Sequence, residues 1–309
     1  MMQSTLRPLL VTGAHRSGTT WVGRMLAAGS GIAYISEPLN VLHRPGVLRA
    51  TVKHWYTYVC AENEAEFLPG FQELIEFDYH LWAEIRSLRS GRDLLRMLRD
   101  FGIFYRGSLR GQRPLFKDPF AVFSLPWFAE RLGCQIVVTV RHPAAFASSL
   151  KRLNWSFDFQ DLLQQRWLMR DYLEPYRAQM DAIPAGDIVG QAGVLWALIY
   201  RVVHLVHDRH PEIQIALHER LSTDPAGEFR KLYDDLGLSF TSGARDSIIR
   251  SSSERNPTEL AKRNVHSVQL DSRANIENWK HRLSPDEIVR IRRLTEEVAH
   301  FYYGEESWN

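Results

Sequence analysis

The chain is 309 residues long and 45% hydrophobic, enough to bury a substantial core as one large or two modest domains. Its 38 basic and 36 acidic residues leave a net charge of +2, which argues against a general nucleic-acid binder while leaving room for local basic pockets. Two cysteines, Cys60 and Cys134, make no disulfide framework, and no leader or membrane-spanning run is read, so the expected compartment is the cytoplasm; a lumenal domain cut from an anchor would read the same way.

In chain order, Leu9–Trp21 (LLVTGAHRSGTTW) comes first. Leu9, Leu10 and Val11 read as a short buried strand, Gly13 to Gly18 as a glycine-hinged loop, and Thr19 as the start of a helix. Such a junction leaves the first N–H groups of the helix unpaired and aimed into the hollow of the loop. The dipole is positive there, so the hollow attracts phosphate. Gly13 and Gly18 let the backbone curl around an anion, and Ser17, Thr19 and Thr20 add hydroxyl donors. The triphosphate loop GxxxxGK[ST] has the same glycine spacing, but its lysine slot is Thr19 here. The loop's strong cation, Arg16, lies before the second glycine, whereas a triphosphatase needs the lysine and an acid-held Mg²⁺. The loop reads as a 5′-phosphate site, with a plain tight turn after a core strand as the blander alternative.

Helical periodicity from Thr20 stops at Gly29-Ser-Gly31, and Ile32–Ile35 is a second short strand. Pro38 ends it and holds Glu37 extended at its carboxyl end, the edge where open parallel sheets bind ligands. Residues 41–112 read as a mainly helical, aromatic-rich insertion placed to form the acceptor side. A third strand ends at Lys117, and Gln135–Val140 is the clearest strand, apolar enough to be covered on both faces. It runs into Arg141-His-Pro143, where the proline suits the first turn of a helix carrying Ser148 and Ser149. Helices follow over Phe159–Met180 and Gln191–Arg209, then a fifth strand at Glu212–Leu217. Residues 239–283 are polar with few apolar anchors and read as a lid loop, and Ser284 with Glu287 forms a capping box for the last helix. Strands alternating with helices make a parallel α/β protein, read as a single domain over 1–309.

Two stretches then resemble a known family. Arg16–Trp21 (RSGTTW) resembles the 5′-phosphosulfate loop of sulfotransferases that use 3′-phosphoadenosine 5′-phosphosulfate. Val138–Pro143 (VTVRHP), with Ser149 eight residues after Arg141, resembles their 3′-phosphate motif. Lys117–Phe120 (KDPF) beside that motif is similar to protein-tyrosine sulfotransferases, and the Arg-Ser-Gly start to carbohydrate sulfotransferases. The two motifs span Leu9–Leu153, and weaker similarity continues through His218–Leu221 and Trp279 to the last helix. The resemblance implies a P-loop-like three-layer sandwich around a central, mainly parallel sheet of about five strands flanked by helices. It implies that Gly13, Arg16, Ser17, Gly18, Thr19, Thr20 and Trp21 hold the 5′ end of the donor, and Arg141 with Ser149 its 3′-phosphate. Arginine's planar donor fork suits phosphate oxygens. Ser148 is the rival of Ser149.

The resemblance also assigns roles. Sulfuryl transfer is an in-line displacement that rests on positioning and charge stabilisation. Arg16 and Lys117 would stabilise the transition state, Arg16 only electrostatically, because an arginine does not give up its proton. Cytosolic relatives use a histidine as base two residues after the lysine, and that slot is Pro119 here. Tyrosine and heparan-type relatives use a glutamate just after the second strand, and Glu37 stands there, 21 residues beyond Arg16. Glu37 is therefore the expected base, its alternative being an ion pair with a basic residue such as Arg16. No metal is expected and no metal-ligand cluster is read. His218 is open between adenine stacking and a plain strand-end role. Ser267, Arg273, Lys280 and His43 carry no assignment. The acceptor is a hydroxyl of a glycan, lipid or small metabolite ahead of peptide tyrosine. A P-loop kinase and a non-catalytic nucleotide-binding protein are the rival functions. Oligomeric state is not legible.

Overall fold

The computed structural model of the chain describes residues 7–42, 44–259 and 268–308. His43 and Ser267 lie outside the described residues. Five strands, β1 (Leu9–Gly13), β2 (Ile32–Ser36), β3 (Arg113–Lys117), β4 (Gln135–Val140) and β5 (Gln214–Leu217), form one sheet in the order β2-β3-β1-β4-β5. Every pairing is parallel, with Ser36 opposite Lys117, Val11 opposite Lys117, and Gly13 opposite Thr139. The strand pattern read from the sequence is the one observed.

Alternation along the strands divides the core into two layers. Leu10, Ile35, Phe116, Ile136 and Val138 face one cluster, which is closed by Phe146, Trp196 and Tyr200. Leu9, Val11, Leu115 and Val137 face the other, closed by Trp21, Met25, Phe229 and Tyr233. Helices therefore cover both faces. Among them are α1 (Thr19–Leu26) and, after the insertion helices α2 (Leu68–Ile75), α3 (Leu81–Ser87) and α4 (Gly91–Arg110), the helix α5 (Pro143–Leu153). The Ile188–His207 helix is long and apolar enough to cross a membrane, but here most of it is buried inside the fold, including Trp196, Ile199 and Tyr200.

Local expectations fail where side chains from distant segments intervene. The stretch 159–180 does not form one helix. It breaks into the short pieces Gln160–Leu163, Arg166–Leu168, Met169–Leu173, Glu174–Tyr176 and Arg177–Asp181. Gln165 sits at the first break, where its amide accepts from Tyr58 N at 2.7 Å and donates to Tyr56 O and Asp161 O. The insertion is irregular before its first helical turn at Glu64, yet buries Val47, Leu48, Tyr56 and Val59. The segment read as a lid loop contains a helix, Ser242–Ser252, capped by Thr241, whose buried apolar residues are Ala244 and Ile248, too few for a periodic signal. The capping box of the final helix, Pro285–Ala299, is present in both directions.

Candidate active site

Each strand delivers one candidate residue at its carboxyl end: the Gly13 loop from β1, Glu37 from β2, Lys117 from β3, Arg141 from β4 and His218 from β5. The edge is the one where open parallel sheets bind ligands. Gly13, at φ 135°, lies so close to β4 that a Cβ would sit 2.3 Å from Thr139 O. Gly18, at φ 100°, caps α1 without a side-chain cap, and a Cβ there would sit 2.8 Å from the His218 ring. Both positions need glycine, and the first turn of α1 keeps its N–H groups for whatever fills the loop.

A cavity of about 110 Å³ opens in front of this turn, walled by Arg16, Gly18, Thr19, Thr20, Trp21 and Arg141. His218, Ser251, Leu270, Ser272 and Asn275 close the other side. Trp21 is fixed by a bond from its indole N–H to Ser251 Oγ at 2.8 Å and by edge contact with His218. Ser17 has a different role from the one expected of its hydroxyl. That group is buried, 2.6 Å from Ala14 O and 2.6 Å from Thr139 Oγ1, so it stiffens the loop against β4 and faces away from the hollow. Arg273 is exposed and Lys280 pairs with Glu277, so in the covering segment the cavity is met by Ser272 and Asn275.

The two phosphate motifs touch. Arg141 donates to Arg16 O at 3.1 Å, and Arg16 Nε donates to Ser149 Oγ at 3.3 Å. Ser148, the rival, has a buried hydroxyl with no partner among the described residues. Burial, and after it the nearby Arg141 and Arg152 guanidiniums, push Arg16 down to about 10. Arg141 is lowered as well, mainly by burial, while the Glu219 carboxylate pulls the other way. The Nε of Arg141 is buried without an acceptor among the described residues. Crowded, desolvated cations with an unmet donor are the electrostatic counterpart of an anion.

Glu37 and Lys117 form a second centre. The Lys117 ammonium, 3% exposed as a side chain, bonds to Glu37 Oε1, and Asn40 Nδ2 donates to Glu37 Oε2 at 2.7 Å. The ion pair weighed for Glu37 therefore exists, and Lys117 is a partner in it. Two features aim it. Glu37 is not extended as expected of a residue before proline but has φ 52°, a left-handed conformation costly for a side chain of its kind, and its N–H donates to Lys117 O at 2.7 Å. Asp118 accepts from Leu39 N at 2.6 Å and Phe120 N at 3.0 Å, tying the segment after Glu37 to the end of β3. Burial raises the Asp118 carboxyl to about 7.

Comparison with known proteins decides the class. A family profile described as a sulfotransferase domain matches residues 6–302. The chain belongs to the sulfotransferase family. A search of curated proteins gives no match. Solved structures with the same sulfotransferase description include the domain from the curacin biosynthetic pathway, at 15% identity and TM-score 0.47 over 93% of this chain and 96% of that one. Sulfotransferase STF9 from Mycobacterium avium aligns at 11% identity and TM-score 0.49, covering 98% and 78% of the two chains. Mouse sulfotransferase SULT7A1, solved with PAP, aligns at 13% identity and TM-score 0.44, covering 98% and 87%.

In this sulfotransferase, sequence reasoning passed over His15. Its backbone N–H donates to the Tyr56 hydroxyl at 3.1 Å, and its Nδ1 lies 2.5 Å from the same oxygen. A hydroxyl that accepts from the backbone has its own proton left to give, so Tyr56 donates to Nδ1 and the ring proton resides on Nε2. Burial and the Arg16 charge lower His15 to about 4, so at neutral pH it is an uncharged donor between Arg16 and Glu37. The histidine is visible in the loop, but Tyr56 is 41 residues away in an irregular segment and only folding brings it there. His142, Glu219 and Tyr200 were missed similarly. Glu219 accepts from His142 N at 2.9 Å and from the Tyr303 hydroxyl at 2.7 Å beside Arg141, and Tyr200 clamps Ala14 to Thr139. Among the described residues, Glu73, Asp78 and His80 lie close enough together to share an ion, a grouping not read from the sequence. It is remote in the insertion, and Glu73 is already paired with Arg49 and His80.

Proposed function

We propose that this sulfotransferase moves a sulfonate from 3′-phosphoadenosine 5′-phosphosulfate to an acceptor hydroxyl of a glycan, lipid or small metabolite. The observation that carries the donor assignment is the buried, acceptor-less Nε of Arg141 in a crowd with Arg16 and Arg152. Two phosphates and a sulfonate supply the missing negative charge in one ligand. Gly13, Gly18 and the first turn of α1 would take the 5′ end, with Thr19, Thr20 and Trp21 on the wall. Arg141 and Ser149 would take the 3′-phosphate.

The donor supplies a sulfur whose bond to the 5′-phosphate oxygen breaks as the bond to the acceptor oxygen forms. The chain's residues do the rest. Glu37 takes the proton of the acceptor hydroxyl, with Asn40 fixing its second oxygen and Asp118 fixing the segment that carries it. Lys117 and Arg16 place cationic side chains beside the reacting centre, and Arg16 with the α1 N–H groups meets the charge left on the departing phosphate. His15 offers a neutral Nε2–H at the same place. The donors are fixed before ligand arrives, so little reorganisation is needed when charge develops.

Calorimetric titration tests the reading. Adenosine 3′,5′-bisphosphate is expected to bind without metal, more tightly than ATP with Mg²⁺, and Arg141→Ala is expected to abolish that advantage. Preference for ATP with Mg²⁺, or indifference to Arg141, would overturn the donor assignment.

A further inference from the structure

Helix α4 is apolar on two sides. Ser90 caps it and Gly111, at φ 56°, ends it. Met97, Asp100, Phe104 and Gly107 form the side packed into the protein. On the opposite side Leu94, Leu95, Leu98, Phe101, Tyr105 and Leu109 are all exposed, Leu95 and Leu109 at 70%. Their spacing of mostly three and four residues puts them on one stripe. The preceding helix α3 adds Trp82, 74% exposed, and Ile85. Isolated exposed leucines are ordinary, but a continuous stripe of this length is not.

The charge beside the stripe has one sign. Arg92, Arg96, Arg99, Arg106 and Arg110 project from one flank of α4 and are exposed, as are Arg86 and Arg89 just before it. The acids of the same segment are occupied. Glu84 is buried and accepts from Gly46 N, Asp100 is buried against Arg44, and Asp93 pairs with Arg96.

We propose that the exposed face of α3 and α4 docks in the plane of an anionic lipid surface. An apolar stripe that carries Trp82, Phe101 and Tyr105 among its leucines and is bordered on one flank by exposed arginines is the composition that settles at a headgroup boundary. A second copy of the chain fits less well. A two-fold contact would press the arginine border against itself, whereas anionic headgroups neutralise it. Docking would lay the β2 flank of the sheet, against which α4 packs, beside the lipid. It stands apart from the identity of the sulfonate donor.

The test is co-sedimentation of the full chain with phosphatidylcholine vesicles and with vesicles containing phosphatidylglycerol. Binding is expected only to the second kind and is expected to weaken as salt rises. Arg92→Gln and Arg106→Gln should each weaken it about fivefold. The triple change Leu95→Gln, Leu98→Gln, Leu109→Gln should abolish it, with circular dichroism and thermal unfolding unchanged because glutamine keeps helix propensity. Equal binding to neutral vesicles, retention of binding by the triple variant, or no binding at all would overturn the proposal. So would a wild-type dimer in light scattering that the triple variant dissolves, since that assigns the face to a second copy.

Discussion

The two sides of the site differ in how complete they are. Around Arg16 and Arg141 the protein has gathered like charges, buried them and left a donor without an acceptor. Around Glu37 the opposite holds: the carboxylate meets Lys117 on one oxygen and Asn40 on the other. The first arrangement carries an electrostatic cost that an anion relieves; in the second the carboxylate already has a cation beside it. Affinity should therefore reside on the cationic side and turnover on the paired side, and substitutions should separate the two.

The largest effect is expected from Glu37→Gln. Turnover with an acceptor should fall by roughly 10²–10⁴-fold, the range for a lost general base. Calorimetric affinity for adenosine 3′,5′-bisphosphate should stay near wild type; a parallel loss of affinity would erase the distinction between the sides. Arg16→Ala comes next. Arg16 belongs to the cationic side but also meets the departing phosphate, so bisphosphate affinity should weaken while kcat falls about 10²–10³-fold. Arg16→Lys should recover part of both because the role is one of charge. Arg141→Ala should weaken bisphosphate binding by about 10–100-fold, as expected for a lost hydrogen bond to a charged group. Tyr56→Phe is smaller. It removes the hydroxyl that fixes the His15 tautomer and should lower kcat a few-fold without changing bisphosphate affinity.

The smallest effect is a change of slope with pH. His15 at about 4 and His142 at about 3 lie below the ordinary value of 6.5, both through burial. The unfolded chain therefore takes up those protons first, and stability is lost as pH falls below 6.5 toward those folded values. Asp118, raised to about 7 from 3.8, acts in the other direction and adds stability as pH falls through that interval. His142→Phe keeps a ring against Trp279 and should make thermal stability fall less steeply on the acid side. An unchanged slope would remove His142 from the balance.

What the sequence determined by itself is what a short window encodes. Five strands follow from apolar runs bounded by Gly and Pro, and the loop after β1 from two glycines whose positive φ and close neighbours exclude any other residue. The capping box at Ser284 and Glu287 is a four-residue signal, and it is present as read. The placement of Glu37, Lys117 and Arg141 along one sheet edge was legible because parallel strands put all their carboxyl ends together.

The tertiary structure decided the partners. Nothing local joins Tyr56 to His15, Lys117 to Glu37 or Gln165 to Tyr58, yet these contacts set a tautomer, closed an ion pair and broke a predicted helix. It also decided which aromatics of the insertion are core. Phe71 and Phe104 turn inward, while Trp82, Phe101 and Tyr105 face out along α3 and α4. Periodicity shows that a helix has faces, but only packing determines which one is buried and which one is left uncovered.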